Sequence, residues 1–98
     1  VIAIYGLSYK PDSDDLRCSP AIEIVEVIDK ITEVIVVEPN IDDHDKFNLR
    51  SSKFARKNSD ICIFLVNHKS FRNEFEKGAF ADNQIMDFCG LTNETTNT

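Results

Sequence analysis

No two cysteines of this chain stand at the C-x-x-C spacing of a zinc site or a redox motif. Cys18, Cys62 and Cys89 are odd in number and far apart, which excludes the common metal and dithiol signatures. Cys62 lies inside an apolar run and reads as a core filler, as free cysteines do in reducing compartments. No apolar run approaches the roughly 18 residues of a membrane helix, and no secretory leader pattern is present. A cytoplasmic protein with no membrane partner is therefore expected. Positive charge is also scarce: 11 Lys and Arg face 17 Asp and Glu, for a net charge of -6. That is not the electrostatic footprint of a nucleic-acid binder. It leaves open a local basic site for a small phosphate ligand. Internal repeats are absent.

What is present suits one domain. A length of 98 residues is too short for two ordinary cores. The 42% of hydrophobic residues can fill an interior, and the 29% of charged ones suit a solvated surface. Four short apolar runs stand out: VIAIY (1–5), VIVVE (34–38), ICIFLV (61–66) and the weaker QIMDF (84–88). The first three are almost continuously apolar, as strands are when a parallel sheet is covered on both faces. Between them lie helical patterns. Ser19 reads as an N-cap and Pro20 as the first helical residue. Ala21, Ile22, Ile24, Val25, Ile28 and Ile31 then form one wide apolar stripe. Glu23 and Glu26 stand near the positive end of that helix dipole. A second helix is expected over 51–58. A third is expected over 70–81, with Phe71, Phe75, Ala79 and Phe80 inward. The alternation predicts an α/β fold: a three-layer α/β/α Rossmann-like open sheet, mostly parallel, of about four strands, with right-handed crossovers. The polar segment 92–98 reads as a disordered tail. The start at Val1, inside an apolar run, reads as a piece excised from a longer chain.

In open α/β sheets ligands bind beyond the carboxyl ends of the strands. The segment after the first strand, Gly6 to Pro20, is therefore the first candidate site. It is long for a βα connection, where about 2–6 residues is usual. It is no dinucleotide fingerprint and no Walker A loop, since Gly6 is its only glycine. Its cations are Lys10, a mobile point charge suited to a phosphate oxygen, and Arg17, a planar fork for two oxygens. Between them lie Asp14 and Asp15, which could hold the cations, bind a metal or cap turns. Taken as residues alone, all four read first as solvated loop charges with some local pairing. The acidic pair also raises a receiver domain. That is excluded by the third strand, which ends in Val66-Asn67-His68 where a phosphorylated Asp would be required.

The combination of Gly6, Tyr9, Lys10, Pro11, Asp14, Asp15, Arg17, Ser19 and Pro20, at these spacings, resembles the signature of the C-terminal, UDP-binding domain of the UDP-glucose/GDP-mannose dehydrogenase family. Downstream features are similar too: Glu38-Pro39-Asn40 after the second strand, Ser59-Asp60 before the third, His68 and Phe71 after it, and Asp87 to Gly90 at the end. The resemblance spans Val1 to about Leu91. Val37 to Asn40 and Leu65 to His68 look most like the UDP-N-acetylmannosamine dehydrogenase branch, with UDP-N-acetylglucosamine 6-dehydrogenases a near alternative.

The resemblance implies the substrate-binding part of an enzyme that oxidises a sugar C6 alcohol to a carboxylate with two NAD. An upstream domain would bind most of the NAD, and a central helical domain would form a homodimer or higher assembly. By the same resemblance Tyr9 and Lys10 face the nucleotide and phosphates of a UDP-sugar. Arg17 reaches toward the NAD pyrophosphate across a domain boundary. Gly6, Pro11, Asp14 and Asp15 shape the loop, the two carboxylates orienting Arg17. The family nucleophile is a cysteine upstream, so none of the three cysteines here is expected to be catalytic, and no metal is expected. His68 could be a general base, but is expected to hold hydrogen bonds at a helix start. Glu38, with Pro39, reads as a strand stop. The piece alone is expected to be inactive and to self-associate weakly through an apolar face. The competing readings are a complete nucleotide- or protein-binding regulatory module without catalysis, and a degenerate domain of an inactive protein.

Overall fold

The computed structural model describes residues 1–92. Four strands, β1 (Ile2–Tyr5), β2 (Val34–Val37), β3 (Ile61–Phe64) and β4 (Ile85–Asp87), alternate with three helices, α1 (Pro20–Asp29), α2 (Ser52–Asn58) and α3 (Lys69–Glu76). The sheet order is β2-β1-β3-β4, with every pair parallel. Ala3 is level with Ile35 on one side and Cys62 on the other. Ile85–Asp87, from the weakest apolar run, forms the short edge strand. Outside β2, the 48–50 segment adds two backbone hydrogen bonds to Val36.

Side chains of a strand alternate between faces, and this sorts the interior into two clusters. On one face Ala3, Tyr5, Ile35, Val37, Cys62 and Phe64 pack with Ala55 of α2, Phe71 of α3, Phe80 and Leu91. Tyr5 is the hub: its ring centroid lies 4.7 Å from Phe64, 5.1 Å from Phe71 and 5.3 Å from Phe80, the separations at which aromatic rings attract edge to face. On the other face Ile4, Val34, Val36 and Ile63 pack with Val25 of α1, Leu7 and Phe47. The three-layer α/β/α sandwich follows, with α1 alone on one side.

That asymmetry corrects the expected α1 stripe. Ala21 and Val25 are buried and Ile22 and Ile28 half-buried, but Ile24 is 41% and Ile31 80% exposed. A single helix covers the β2–β1 half of this face. It leaves an apolar groove of about 310 Å³ lined by Ile24, Ile28, Ile63, Leu65, Met86 and Phe88. Ile31 lies beyond the helix end. Ser19 is also corrected. It sits at the N-cap, yet makes no side-chain cap bond; its hydroxyl donates to the Leu7 carbonyl at 2.5 Å, tying the loop's two ends together. α3 stops at Glu76, short of the expected residue 81, because Gly78 takes a φ of 83°. Its N–H bonds the Phe75 carbonyl while that of Ala79 reaches Glu74, a Schellman end. At the chain end Asp87 accepts from the N–H groups of Cys89, Leu91 and Thr92 and from the Thr92 hydroxyl. Thr92, the first residue of the expected disordered tail, is thus held; 93–98 lie outside the described residues. No helix among the described residues is long and apolar enough to cross a membrane.

Candidate functional site

With β1 flanked by β2 on one side and β3 on the other, the chain leaves β1 at the switch point of the sheet, where open α/β folds place their ligands. Gly6 makes the departure possible. Its φ is 103°, and a Cβ there would lie 2.6 Å from the Val66 Cβ. The missing side chain therefore makes room for the protein's own β3 exit, not for a pyrophosphate.

Beyond Gly6 a crevice of about 200 Å³ opens between Ser8 and Tyr9 after β1, Leu65 and Val66 after β3, the start of α1 at Pro20, Ala21 and Ile24, and Phe88 after β4. Tyr9 is 59% exposed and stands at its lip. Lys10, the next residue, is exposed but does not line it. Arg17 lies on the exposed turn before α1, where Asp15 holds its fork: Nε to Oδ1 and Nη2 to Oδ2, both 3.0 Å. The guanidinium holds the Asp15 carboxyl down to about 2, and the carboxylate raises the arginine above its ordinary value. The Asp15 carbonyl also accepts from the Tyr9 N–H at 2.8 Å. Asp14 and Pro11 are exposed. The structure thus brings Asp15 and Arg17 together and sets Tyr9 on the crevice.

Two residues from outside this loop lie beneath it: His68, which holds hydrogen bonds at a helix start as expected, and Glu38, which reads from the sequence only as a strand stop. Glu38 is no mere strand stop. It is 4% exposed, and its carboxylate accepts from Leu7 N–H at 2.8 Å, Ser8 N–H at 3.2 Å and Asn40 N–H at 3.1 Å. It also meets His68 Nε2 at 2.9 Å. Burial pushes the Glu38 carboxyl up, but the hydrogen bonds from His68, Leu7 and Asn40 outweigh it and hold the group below the ordinary carboxylate range. His68 is completely buried at the N-cap of α3. Its Nδ1 accepts from the Asp12 N–H at 2.8 Å. Asp12, which no motif reading singled out, caps α3 by accepting from the Lys69 N–H at 2.8 Å. Its φ of 58° is a conformation that aspartate tolerates better than most residues. The signals in the sequence were a polar residue at each of two strand ends and the place of both in the family resemblance.

The cysteines offer no nucleophile at this site. Burial, then the neighbouring Asp87 charge, pushes the Cys89 thiol up to about 12. Burial likewise raises Cys62, in the core. Cys18 is exposed and lies outside the crevice lining. Among the described residues no three His, Cys, Asp or Glu side chains converge as a metal set.

Comparison with known proteins bears on this site. Residues 3–94 match the family model described as the UDP-glucose/GDP-mannose dehydrogenase family, UDP binding domain. The chain is 38% identical to a UDP-N-acetyl-D-mannosamine dehydrogenase of Yersinia pestis, over 72% of this chain and 19% of that protein. It is 42% identical to an NDP-N-acetyl-D-galactosaminuronic acid dehydrogenase of Ralstonia nicotianae, over 74% of this chain and 18% of that protein. The fold of a UDP-D-ManNAc dehydrogenase from Pyrococcus horikoshii superposes with a TM-score of 0.74, at 24% identity, over 96% of this chain and 22% of the other. The chain therefore spans about a fifth of the length of these relatives.

Proposed function

Because this chain belongs to the UDP-glucose/GDP-mannose dehydrogenase family, as its UDP binding domain, we propose that the crevice at the β1–β3 switch point takes the nucleotide end of a UDP-sugar. The observation that carries this reading is the crevice itself, with the exposed ring of Tyr9 at its lip and Lys10 one residue further on. A flat aromatic face suits a base, and a flexible ammonium suits the oxygens of a diphosphate. The chemistry belongs to a longer protein. There an NAD-dependent dehydrogenase oxidises the sugar C6 alcohol to a carboxylate, a four-electron step. UDP-N-acetylmannosamine is the substrate that the Yersinia relative's name supports.

On this reading the domain alone turns over no substrate: Cys62 and Cys89 have thiols raised by burial, and no cysteine lines the crevice. The bulk of NAD is assigned to another domain of the parent, in keeping with the crowding of Gly6 by Val66. When bound elsewhere in the parent, NAD supplies the hydride acceptor. This chain's part is binding and orientation: Tyr9 and Lys10 hold the UDP end. Arg17, presented outward by Asp15, offers its remaining guanidinium donors to a pyrophosphate at the boundary with another domain. The upstream and central domains of the parent, assembled as a homodimer or higher, are the partners.

Titration of the labelled domain with UDP, followed by amide shifts, tests the reading. Shifts gathered on Tyr9, Lys10, Ala21 and Val66 are expected, with weak affinity because the site is shared with other domains. Lys10→Ala should weaken binding about tenfold, the size of one charge-assisted contact. No shift up to millimolar UDP, or shifts unchanged by Lys10→Ala, would reject it.

A further inference from the structure

Glu38 and His68 come from the ends of β2 and β3, the two strands that flank β1. Their side chains meet beneath the loop that leaves the central strand. Burying such a pair costs desolvation that two apolar residues would not. The destinations of its hydrogen bonds show what the pair gives in return. Glu38 accepts from Leu7 and Ser8, and His68 accepts from Asp12. Beyond its bond to His68, the one other bond of Glu38 goes to Asn40, two residues on. Apart from the Glu38–His68 bond itself, which links the exits of β2 and β3, and the local one to Asn40, the bonds of the pair to Leu7, Ser8 and Asp12 converge on the two sides of Tyr9 and Lys10. Between them the Ser8 hydroxyl donates to the Lys10 carbonyl at 2.7 Å while lying 3.4 Å from His68 Nε2.

The hydrogen-bond directions also fix the chemistry of the pair. A backbone N–H can only donate, so His68 Nδ1 accepts from Asp12 and the ring proton sits on Nε2, facing Glu38. Glu38 accepts from every one of these partners, as an ionised carboxylate does.

We propose that Glu38 and His68 are positioning residues: the pair sets the conformation of 7–12, and through it the placement of Tyr9 and Lys10 toward the nucleotide. The role toward ligand rests on the UDP reading above; the role toward the loop does not. Two conservative variants separate the contacts. Glu38→Gln keeps an oxygen for Leu7, Ser8 and His68 and loses only the acceptor for Asn40. His68→Gln keeps a donor for Glu38 and loses the acceptor for Asp12.

The experiment uses the ¹⁵N-labelled 98-residue chain, as native protein and both variants, with imidazole nitrogen spectra, amide exchange and titration with UDP. The native spectrum should show a bare Nδ1 and a protonated Nε2. In His68→Gln the Asp12 amide should exchange about tenfold faster, the loss of one hydrogen bond, while Ile4, Val36 and Ile63 stay protected. The UDP Kd should rise about tenfold, and Lys10→Ala should then add little, because two residues acting through one geometry are not additive. Glu38→Gln should remain close to native in both readouts. A proton on Nδ1, or an unchanged Asp12 exchange rate, overturns the proposal. So does a released loop whose UDP Kd stays within about twofold of native. A native chain that ignores UDP rejects the nucleotide reading, while the tautomer and the Asp12 exchange still decide whether the pair holds the loop.

Discussion

Gly6→Ala probes the single position on which the crevice depends. The new Cβ would meet Val66 Cβ at 2.6 Å, Val66 Cγ2 at 2.9 Å and the Val66 backbone nitrogen at 2.9 Å. A side-chain rotation could clear the methyl, but neither the Cβ nor the nitrogen, which lies two residues past the end of β3 and donates to the Tyr5 carbonyl. Two costs therefore add. Holding an L-residue at a φ of 103° costs about 1–2 kcal/mol, and forcing an extra carbon into packed structure costs about 1–3 kcal/mol. Together they remove about 3 kcal/mol from a domain expected to have about 5–15. With a urea m-value of about 1.5 kcal/mol/M, the midpoint should fall by about 2 M. Gly78→Ala is the internal control, since Gly78 has a similar φ of 83° but nothing within 4 Å. It should lose only the conformational part, about 1–2 kcal/mol. Val66→Ala in the Gly6→Ala background should relieve only part of the steric cost, because the contacts with the Val66 Cβ and backbone nitrogen stay. Urea unfolding followed by far-UV circular dichroism measures all three. If Gly6→Ala costs no more than Gly78→Ala, the close approach of the β1 and β3 exits does not constrain this site.

Acid should loosen the domain chiefly through two carboxylates that are withdrawn from solvent, since the Asp15–Arg17 pair is exposed and screened. Glu38 is held below its ordinary value, and Asp87 is held at about 2 by the hydrogen bonds of the closing turn, chiefly from Thr92 and Cys89, which outweigh its burial. A depressed folded-state value contributes stability that is complete above the unfolded value near pH 4 and is lost as pH falls toward the folded one. Urea midpoints should thus hold down to about pH 5 and drop between about pH 4 and pH 2; Asp87→Asn should lessen the drop, and a midpoint that rises on acidification would reject the assignment. Thiol labelling at neutral pH should modify exposed Cys18 first, with Cys89 and Cys62 slow because burial raises both; fast labelling that persists in Cys18→Ser would contradict this. Asp12→Ala should cost about 1–2 kcal/mol through the lost α3 cap and the φ of 58°, whereas Asp12→Asn, which keeps an acceptor and tolerates that φ, should cost less than half as much in the same urea assay.

The sheet was legible because its information is local. Each of the first three apolar runs is short, β-branched and closed by polar residues, and between them the period changes to that of a helix. Ser51 caps α2 where the spacing placed that helix. What failed was local grammar applied where a tertiary contact decides. Ser19 has the composition of a cap, but the Leu7 carbonyl, 12 residues back, takes its hydroxyl. Ile24 has the spacing of a core residue, but the sheet half beneath it has no second helix to close the layer.

Glu38 is the most instructive case. An acid ending a strand, followed by proline, reads as a stop, and nothing within ten residues says otherwise. Beyond Asn40, its partners are 30 and 31 residues away, and the loop partner of His68 is 56 away. Yet the strand order turns these two polar residues into neighbours. In a 2-1-3 arrangement the ends of β2 and β3 stand on either side of the β1 exit, so whatever polar groups close those two strands must face the loop leaving β1 from both flanks. An acceptor-only carboxylate and an imidazole are what a turning backbone there requires, because its N–H groups have left the sheet and have no ladder partner. The residues that set this loop are therefore found outside it: the sequence points to His68 as holding hydrogen bonds at a helix start, but nothing local ties either it or Glu38 to the 7–12 backbone.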